Sequence, residues 1–153
     1  MTEPRSGRPN DFSVRYEWVA GSMPPPYHYE YMITIGPGTG GEVVLRPDYS
    51  GMDAPEWSES FSVSEEALDG LWDLLGEHDV FGREWTKIND GVVGGSLQWM
   101  RGAAGGKEFS IPSRVAESVV AMYAAVKSIV PEAVMSDLLS RREEYERSYV
   151  EPQ

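Results

Sequence analysis

Apolar and polar residues alternate strictly in two stretches near the start of the chain. The first covers residues 12–18 and the second covers residues 27–35. A period of two is typical of a half-buried β-strand, so the pattern predicts an antiparallel hairpin over the proline-containing segment 20–26. The predicted inner face of this hairpin comprises Phe12, Val14, Tyr16, Trp18, Tyr27, Tyr29, Tyr31, Ile33 and Ile35.

Two shorter strands and a second hairpin are predicted further along the chain. Residues 42–46 and 57–63 contain β-branched and aromatic residues between segments rich in glycine, proline and aspartate. Residues 96–101 and 107–111 have the same character and flank the glycine-rich segment 102–106, which predicts a hairpin turn.

Apolar residues at spacings of three and four predict three helices. The first helix has its apolar stripe between residues 68 and 75 and follows two candidate N-caps, Ser62 and Ser64. Ser113 is the predicted N-cap of the second helix. Pro131 ends that helix and begins a third, which is predicted to run to about residue 150.

The order of these predicted elements is ββββ-α-ββ-αα. Strands joined by short turns, with the helices segregated from them, predict an α+β fold. The sheet would be antiparallel, with about 5–6 strands and the helices packed on one side. Residues 1–10 are polar and predict a disordered lead-in, and residues 11–150 predict a single domain.

The composition narrows the chemistry that this domain can perform. The 153 residues include no cysteine, which excludes disulfides, thiolate metal sites and a cysteine nucleophile. The first residues lack the apolar region of a signal peptide, and no stretch has the roughly 18 apolar residues of a membrane span. We therefore expect a cytoplasmic protein without a membrane partner.

The formal net charge of −12 is concentrated in one part of the chain. Residues 42–79 contain eleven acidic residues and one basic residue, a net charge of −10. Phosphate backbones require a basic surface, so nucleic acid is not an expected partner.

Most of the acidic residues of the first predicted helix share one face. Their spacing creates three like-charge pairs four residues apart, each costing roughly 0.2–0.5 kcal/mol. The face is either solvated surface or a docking face for a basic protein surface. A divalent-cation site is a weaker alternative, because the glycine-containing loop of an EF-hand is missing. The residues of this acidic face are Glu65, Glu66, Asp69, Asp73 and Glu77.

Aromatic residues crowd the predicted inner face of the first hairpin. Buried phenolic hydroxyls need hydrogen-bond partners, so these side chains either reach the rim of the core or line a groove for a small ligand. The residues of this possible groove are Tyr16, Trp18, Tyr27, Tyr29 and Tyr31.

The sequence predicts no cofactor site, metal site or catalytic set. Gly36, Gly38 and Gly41 have the spacing of a dinucleotide fingerprint, but a strand pattern rather than a helix follows them, which indicates a hairpin turn. His28 and His78 are the only histidines, and each is expected at the surface.

Three hypotheses about function follow from these patterns. The leading one is a non-enzymatic interaction module that presents the acidic face. The alternatives are a small-ligand binder that uses the aromatic groove and a hydrolase-like enzyme with a histidine base. The third helix also offers Met135, Leu138 and Leu139 for a homodimer, unless these residues pack on their own domain.

Overall fold

The computed structural model describes residues 7–24, 26–49, 53–88 and 95–149 of the chain. Within these ranges the chain forms six strands and three helices. The strands are β1 (Ser13–Val19), β2 (Glu30–Ile35), β3 (Gly40–Arg46), β4 (Trp57–Ser62), β5 (Leu97–Ala104) and β6 (Lys107–Ile111). The helices are α1 (Glu65–Glu77), α2 (Val120–Ile129) and α3 (Glu132–Ser148).

The six strands form one antiparallel sheet in the order β4-β3-β2-β1-β5-β6. The predicted α+β fold and the element order ββββ-α-ββ-αα are therefore confirmed. The first hairpin has the register that pairs Val14 with Ile35 and Val19 with Glu30. On its other side β1 pairs with β5, which aligns Tyr16 with Met100.

The hydrophobic core lies on one face of the sheet, under the three helices. Alternate strand residues point into it, including Val14, Tyr16, Ile33, Leu45 and Met100, and all of these are buried. The helices contribute Leu68, Leu71, Leu75, Met122, Val126 and Leu138. The opposite face, which we call the open face, carries the intervening residues, and no helix from the described part of the chain packs on it.

Helix α1 begins directly after Ser64, one of its two predicted N-caps. The Ala67 backbone N–H donates to the Ser64 hydroxyl at 3.0 Å, so Ser64 is the N-cap and Ser62 is the last residue of β4. A side-chain cap satisfies a backbone N–H that has no partner inside the helix.

The predicted beginnings of β2 and α2 are wrong. Strand β2 begins at Glu30, so residues 27–29 do not continue its alternation. Helix α2 begins at Val120, and Ser113 does not cap it. Instead, residues 114–116 pair with residues 86–88, with Ala116 N–H donating to Thr86 and Ile88 N–H donating to Arg114. The left-handed backbone of Arg114, at φ 61°, is also incompatible with a helix at that point.

The glycine-rich turns are largely as predicted. The Gly36 N–H donates to the Gly40 carbonyl and closes the turn between β2 and β3. Strand β5 extends to Ala104, so the second hairpin turn is limited to Gly105 and Gly106, both at positive φ. The Asn-Asp-Gly sequence at residues 89–91 also predicts a turn, but these residues lie outside the described ranges. Among the described helices, none combines the length and apolar character needed to cross a membrane.

Candidate functional site

The acidic face of α1 holds a basic side chain from the beginning of the chain. The guanidinium of Arg8 donates from Nε to Asp69 Oδ1 at 2.7 Å and from a terminal nitrogen to Glu65 Oε2. The Arg8 side chain is only 12% exposed. Arg8 is 61 residues from Asp69 in sequence, so this pairing could not be predicted from helix periodicity.

Arg8 offsets part of the like-charge repulsion that the sequence predicts along α1. Glu65 and Asp69 are one turn apart, and a single guanidinium bridges them. Glu66 and Glu77 are exposed, and Asp73 is partly exposed. Neither Glu66 nor Asp73 has an ion pair within the described part of the chain. Part of the acidic face is therefore neutralised, and part of it remains open to solvent.

The five aromatic residues proposed as a groove do not share one surface. Tyr16 is fully buried, and its hydroxyl donates to Gln98 Oε1 at 2.6 Å. Trp18 stacks on Tyr31 with ring centroids 5.2 Å apart and contacts Tyr29 at 4.8 Å. Tyr27 precedes β2 and is 45% exposed, so the expectation that it faces the core is wrong.

Helices α2 and α3 contact two of these aromatic residues, Tyr16 and Tyr29, directly. Tyr123 of α2 meets the Tyr16 ring edge-on at 5.2 Å, and the Arg142 guanidinium of α3 lies 4.4 Å from the Tyr29 ring centroid. Trp18, Tyr29 and Tyr31 keep some exposure, so a ligand groove that uses them stays a prediction.

His28 is buried, which contradicts its expected surface position. Its side chain is 2% exposed, and its ring stacks on Tyr49 with centroids 3.6 Å apart. Nδ1 lies 3.2 Å from the Gly21 carbonyl, and Nε2 lies 3.0 Å from Glu30 Oε2. The prediction failed because it extended the alternation of β2 to residue 28, two residues before the strand begins.

The contacts of His28 are typical of a structural hydrogen-bond network and not of a general base. Both ring nitrogens already face acceptors, so neither is directed at a substrate. Glu30 also accepts from Arg46 at 3.3 Å, and Arg46 pairs with Glu56. His28 therefore connects the loop after β1 to strands β2 and β3.

His78 lies at the end of α1 and has a local structural role. It is the C-cap residue of α1, and its carbonyl accepts from the Arg83 guanidinium at 3.3 Å. Its side chain is partly exposed. His28 and His78 thus lie on separate elements, and neither assembles a catalytic set in the described residues.

The third helix uses its apolar residues inside its own domain. Leu138 is fully buried, and Met135 and Leu139 pack against the core. Tyr145 on the same helix donates to the buried Asp48 at 2.8 Å. A homodimer through α3 stays a prediction, and it would have to use other residues of that helix.

An acidic pair lies between α3 and the edge strand β4. Glu59 points inward from β4 and has Asp137 of α3 as its acidic neighbour, and Asp137 also pairs with Arg141 at 3.1 Å. The nearby Asp137 carboxyl raises the pKa of Glu59 above its ordinary value.

The open face carries a groove that the sequence did not predict. Its volume is about 760 Å³, and two arginines, Arg15 and Arg101, line it. The alternation of β1 places Arg15 on the polar side of the hairpin. Only the pairing of β1 with β5, two strands far apart in sequence, brings Arg101 opposite to it.

Comparison with known proteins leaves the function to be argued from these sites alone. No protein-family model matches the chain, and no curated protein is significantly similar to it.

Proposed function

We propose that this protein is a non-catalytic interaction module whose acidic face on α1 docks a basic protein segment. The observation that supports the proposal is the contact of Arg8 with Glu65 and Asp69. Two carboxylates one helical turn apart hold one guanidinium there, which is the arrangement that an arginine from a partner would need. Glu66, Asp73 and Glu77 extend this surface along the helix.

The charge distribution favours a basic partner over a neutral one. The net charge of −12 produces a field that attracts basic surfaces and accelerates their association. A single exposed ion pair contributes at most about 1 kcal/mol, so useful affinity requires several carboxylates acting together. A row of acidic residues on one helix meets that requirement, and a docked partner would relieve the repulsion between them.

The proposal is tested by binding of a labelled arginine-rich peptide, measured by fluorescence anisotropy over a range of salt concentrations. The test variant combines Glu66→Gln, Asp73→Asn and Glu77→Gln, which leaves the Arg8 contacts intact. The matched control combines Glu84→Gln, Glu132→Gln and Glu143→Gln, three exposed acidic residues elsewhere. Both variants change the net charge equally.

We expect the α1 variant to lose at least tenfold in affinity, because three of its carboxylates no longer attract the peptide. The control should bind nearly as well as the wild type, and added salt should weaken all remaining binding. Equal losses in the two variants would mean that the peptide responds to net charge alone, and the docking face would be rejected.

Arg8 provides a second test with the opposite sign. Arg8→Gln frees Glu65 and Asp69, so it should strengthen binding of the same peptide. Weaker or unchanged binding would show that these two carboxylates are not part of the docking face.

A further inference from the structure

We infer that the open face of the sheet carries a binding site for an oxyanion, built on Arg15 and Arg101. These residues are direct partners across the antiparallel pair of β1 and β5. Residues in this relation have Cβ atoms about 4.5–5.5 Å apart, and like charges directly opposite each other destabilise a sheet. The pairing is unexpected in a chain with 25 acidic and 13 basic residues, where acidic partners are abundant.

Neither guanidinium is neutralised within the described part of the chain. Arg15 Nε lies 2.6 Å from the sulfur of Met32, which is a weak and uncharged acceptor. Arg101 is exposed and forms no hydrogen bond or ion pair among the described residues. Two positive charges thus lie side by side without a counterion.

Glu17 and Glu108 do not supply that counterion. Glu17 on the same face accepts from the Trp99 indole N–H at 2.6 Å. Glu108 lines the groove but forms no ion pair with Arg15 or Arg101 in the described structure. The positive charge is therefore available to a ligand. The Glu108 carboxylate would repel a ligand that carries a high negative charge.

The remaining lining of the groove suits an oxyanion. Ser13, Thr34 and Ser110 contribute hydroxyl groups around the two arginines. A guanidinium presents parallel N–H donors that match the oxygens of a phosphate or carboxylate. Hydroxyls can donate to the same oxygens. The chemistry shared by the ligands that fit is an oxyanion carried by a phosphate monoester or by a carboxylate.

This site is separate from the acidic face of α1. The groove belongs to the open face, whereas α1 packs on the core face, so a partner docked on α1 does not cover Arg15 or Arg101. The two proposals can fail independently.

Thermal unfolding with added anions tests the inference. The full chain is unfolded in sodium chloride, sodium phosphate and sodium acetate at constant ionic strength and pH. A ligand that binds the folded state raises Tm with its concentration. We expect phosphate, acetate or both to raise Tm above the chloride value, and the stronger of the two identifies the carrier of the oxyanion.

Arg101→Gln should remove at least nine-tenths of the apparent affinity for the anion, because a charged hydrogen-bond donor is lost. In chloride alone the same variant should unfold at a higher temperature than the wild type, because the repulsion between the arginines is gone. Arg147→Gln is the matched control. Arg147 is exposed on α3 and pairs with Glu144, so its loss should leave the anion effect intact.

Two further variants separate charge from geometry. Arg101→Lys keeps the positive charge but loses the parallel donors, so it should weaken anion binding without the gain in Tm in chloride. Glu108→Gln should strengthen anion binding, because a competing carboxylate is removed. The inference is overturned if wild type and Arg101→Gln respond equally to phosphate and acetate, or if neither anion raises Tm of the wild type.

Discussion

At the scale of single residues, Tyr16 and Tyr123 are neighbours whose hydroxyls are in opposite situations. Their rings meet edge-on at 5.2 Å, and both side chains are buried. The Tyr16 hydroxyl donates to Gln98 at 2.6 Å. The Tyr123 hydroxyl has no hydrogen-bond partner among the described residues. A buried hydroxyl without a partner destabilises a fold, whereas a paired one contributes about 1 kcal/mol.

We therefore expect Tyr16→Phe and Tyr123→Phe to change the free energy of unfolding differently. Tyr16→Phe should lower it by roughly 1–2 kcal/mol, because the Gln98 carbonyl oxygen loses its donor. Tyr123→Phe should leave it unchanged or raise it slightly. Urea denaturation of both variants measures the difference, and a larger loss in Tyr123→Phe would mean that its hydroxyl has a partner in solution.

At the scale of an element, α1 combines a favourable start with an unfavourable end. Ser64 caps its first turn, and Glu65 and Glu66 suit the positive end of the helix dipole. Its last turn contains no basic residue, and Glu77 lies at the negative end. The stability of α1 therefore depends on its cap and on the burial of Leu68, Leu71 and Leu75.

The contribution of the N-cap Ser64 to stability can be measured against Ser62, which lies two residues earlier. Ser64→Ala should lower the free energy of unfolding by roughly 0.5–2 kcal/mol, because the Ala67 N–H loses its acceptor. Ser62→Ala should change it far less, because exposed Ser62 ends β4 and does not cap the helix. Thermal or urea unfolding of the two variants compares them, and equal effects would assign the cap to both serines.

At the scale of the whole molecule, two tyrosines with raised pKa values make the free energy of unfolding depend on pH in the alkaline range. Burial raises the pKa of Tyr123 to about 12. Burial, and then the hydrogen bond to Asp48, also raises the pKa of Tyr145 to about 12. Unfolded tyrosine ionises near pH 10, so between about pH 10 and pH 12 the folded state binds more protons than the unfolded state. The stability contributed by these groups is complete below about pH 10 and is lost as the pH rises toward 12.

We expect the free energy of unfolding to fall steadily over this alkaline range. The fall should be smaller in Tyr123→Phe and in Tyr145→Phe than in the wild type, because each variant removes one of the linked protons. Tyr27→Phe, at an exposed position, is the control and should follow the wild type. Urea titrations at a series of pH values measure the slopes. Identical slopes in all four proteins would contradict this assignment.

The sequence predicted the architecture well because the architecture depends on local periodicity. The alternation in β1 and the spacing of Leu68, Leu71 and Leu75 each identify one element and its buried face. The boundary at Ser113 failed because the competing partner, residues 86–88, is distant in sequence. Only part of the acidic face could be interpreted from sequence, since Arg8 reaches it through the folded structure.

The inward carboxyl of Glu59 has a consequence for self-association. An outer strand presents unpaired backbone groups that can template a strand from another molecule, and an inward charge on such a strand opposes that addition. Glu59 and Asp137 place acidic groups on the core side of the edge strand β4, where a strand added beside β4 would need apolar cover. At the other margin, β6 is only five residues long and carries the exposed charges Lys107 and Glu108. Both edges of the sheet therefore disfavour pairing with a strand from another molecule, and with it the growth of fibres.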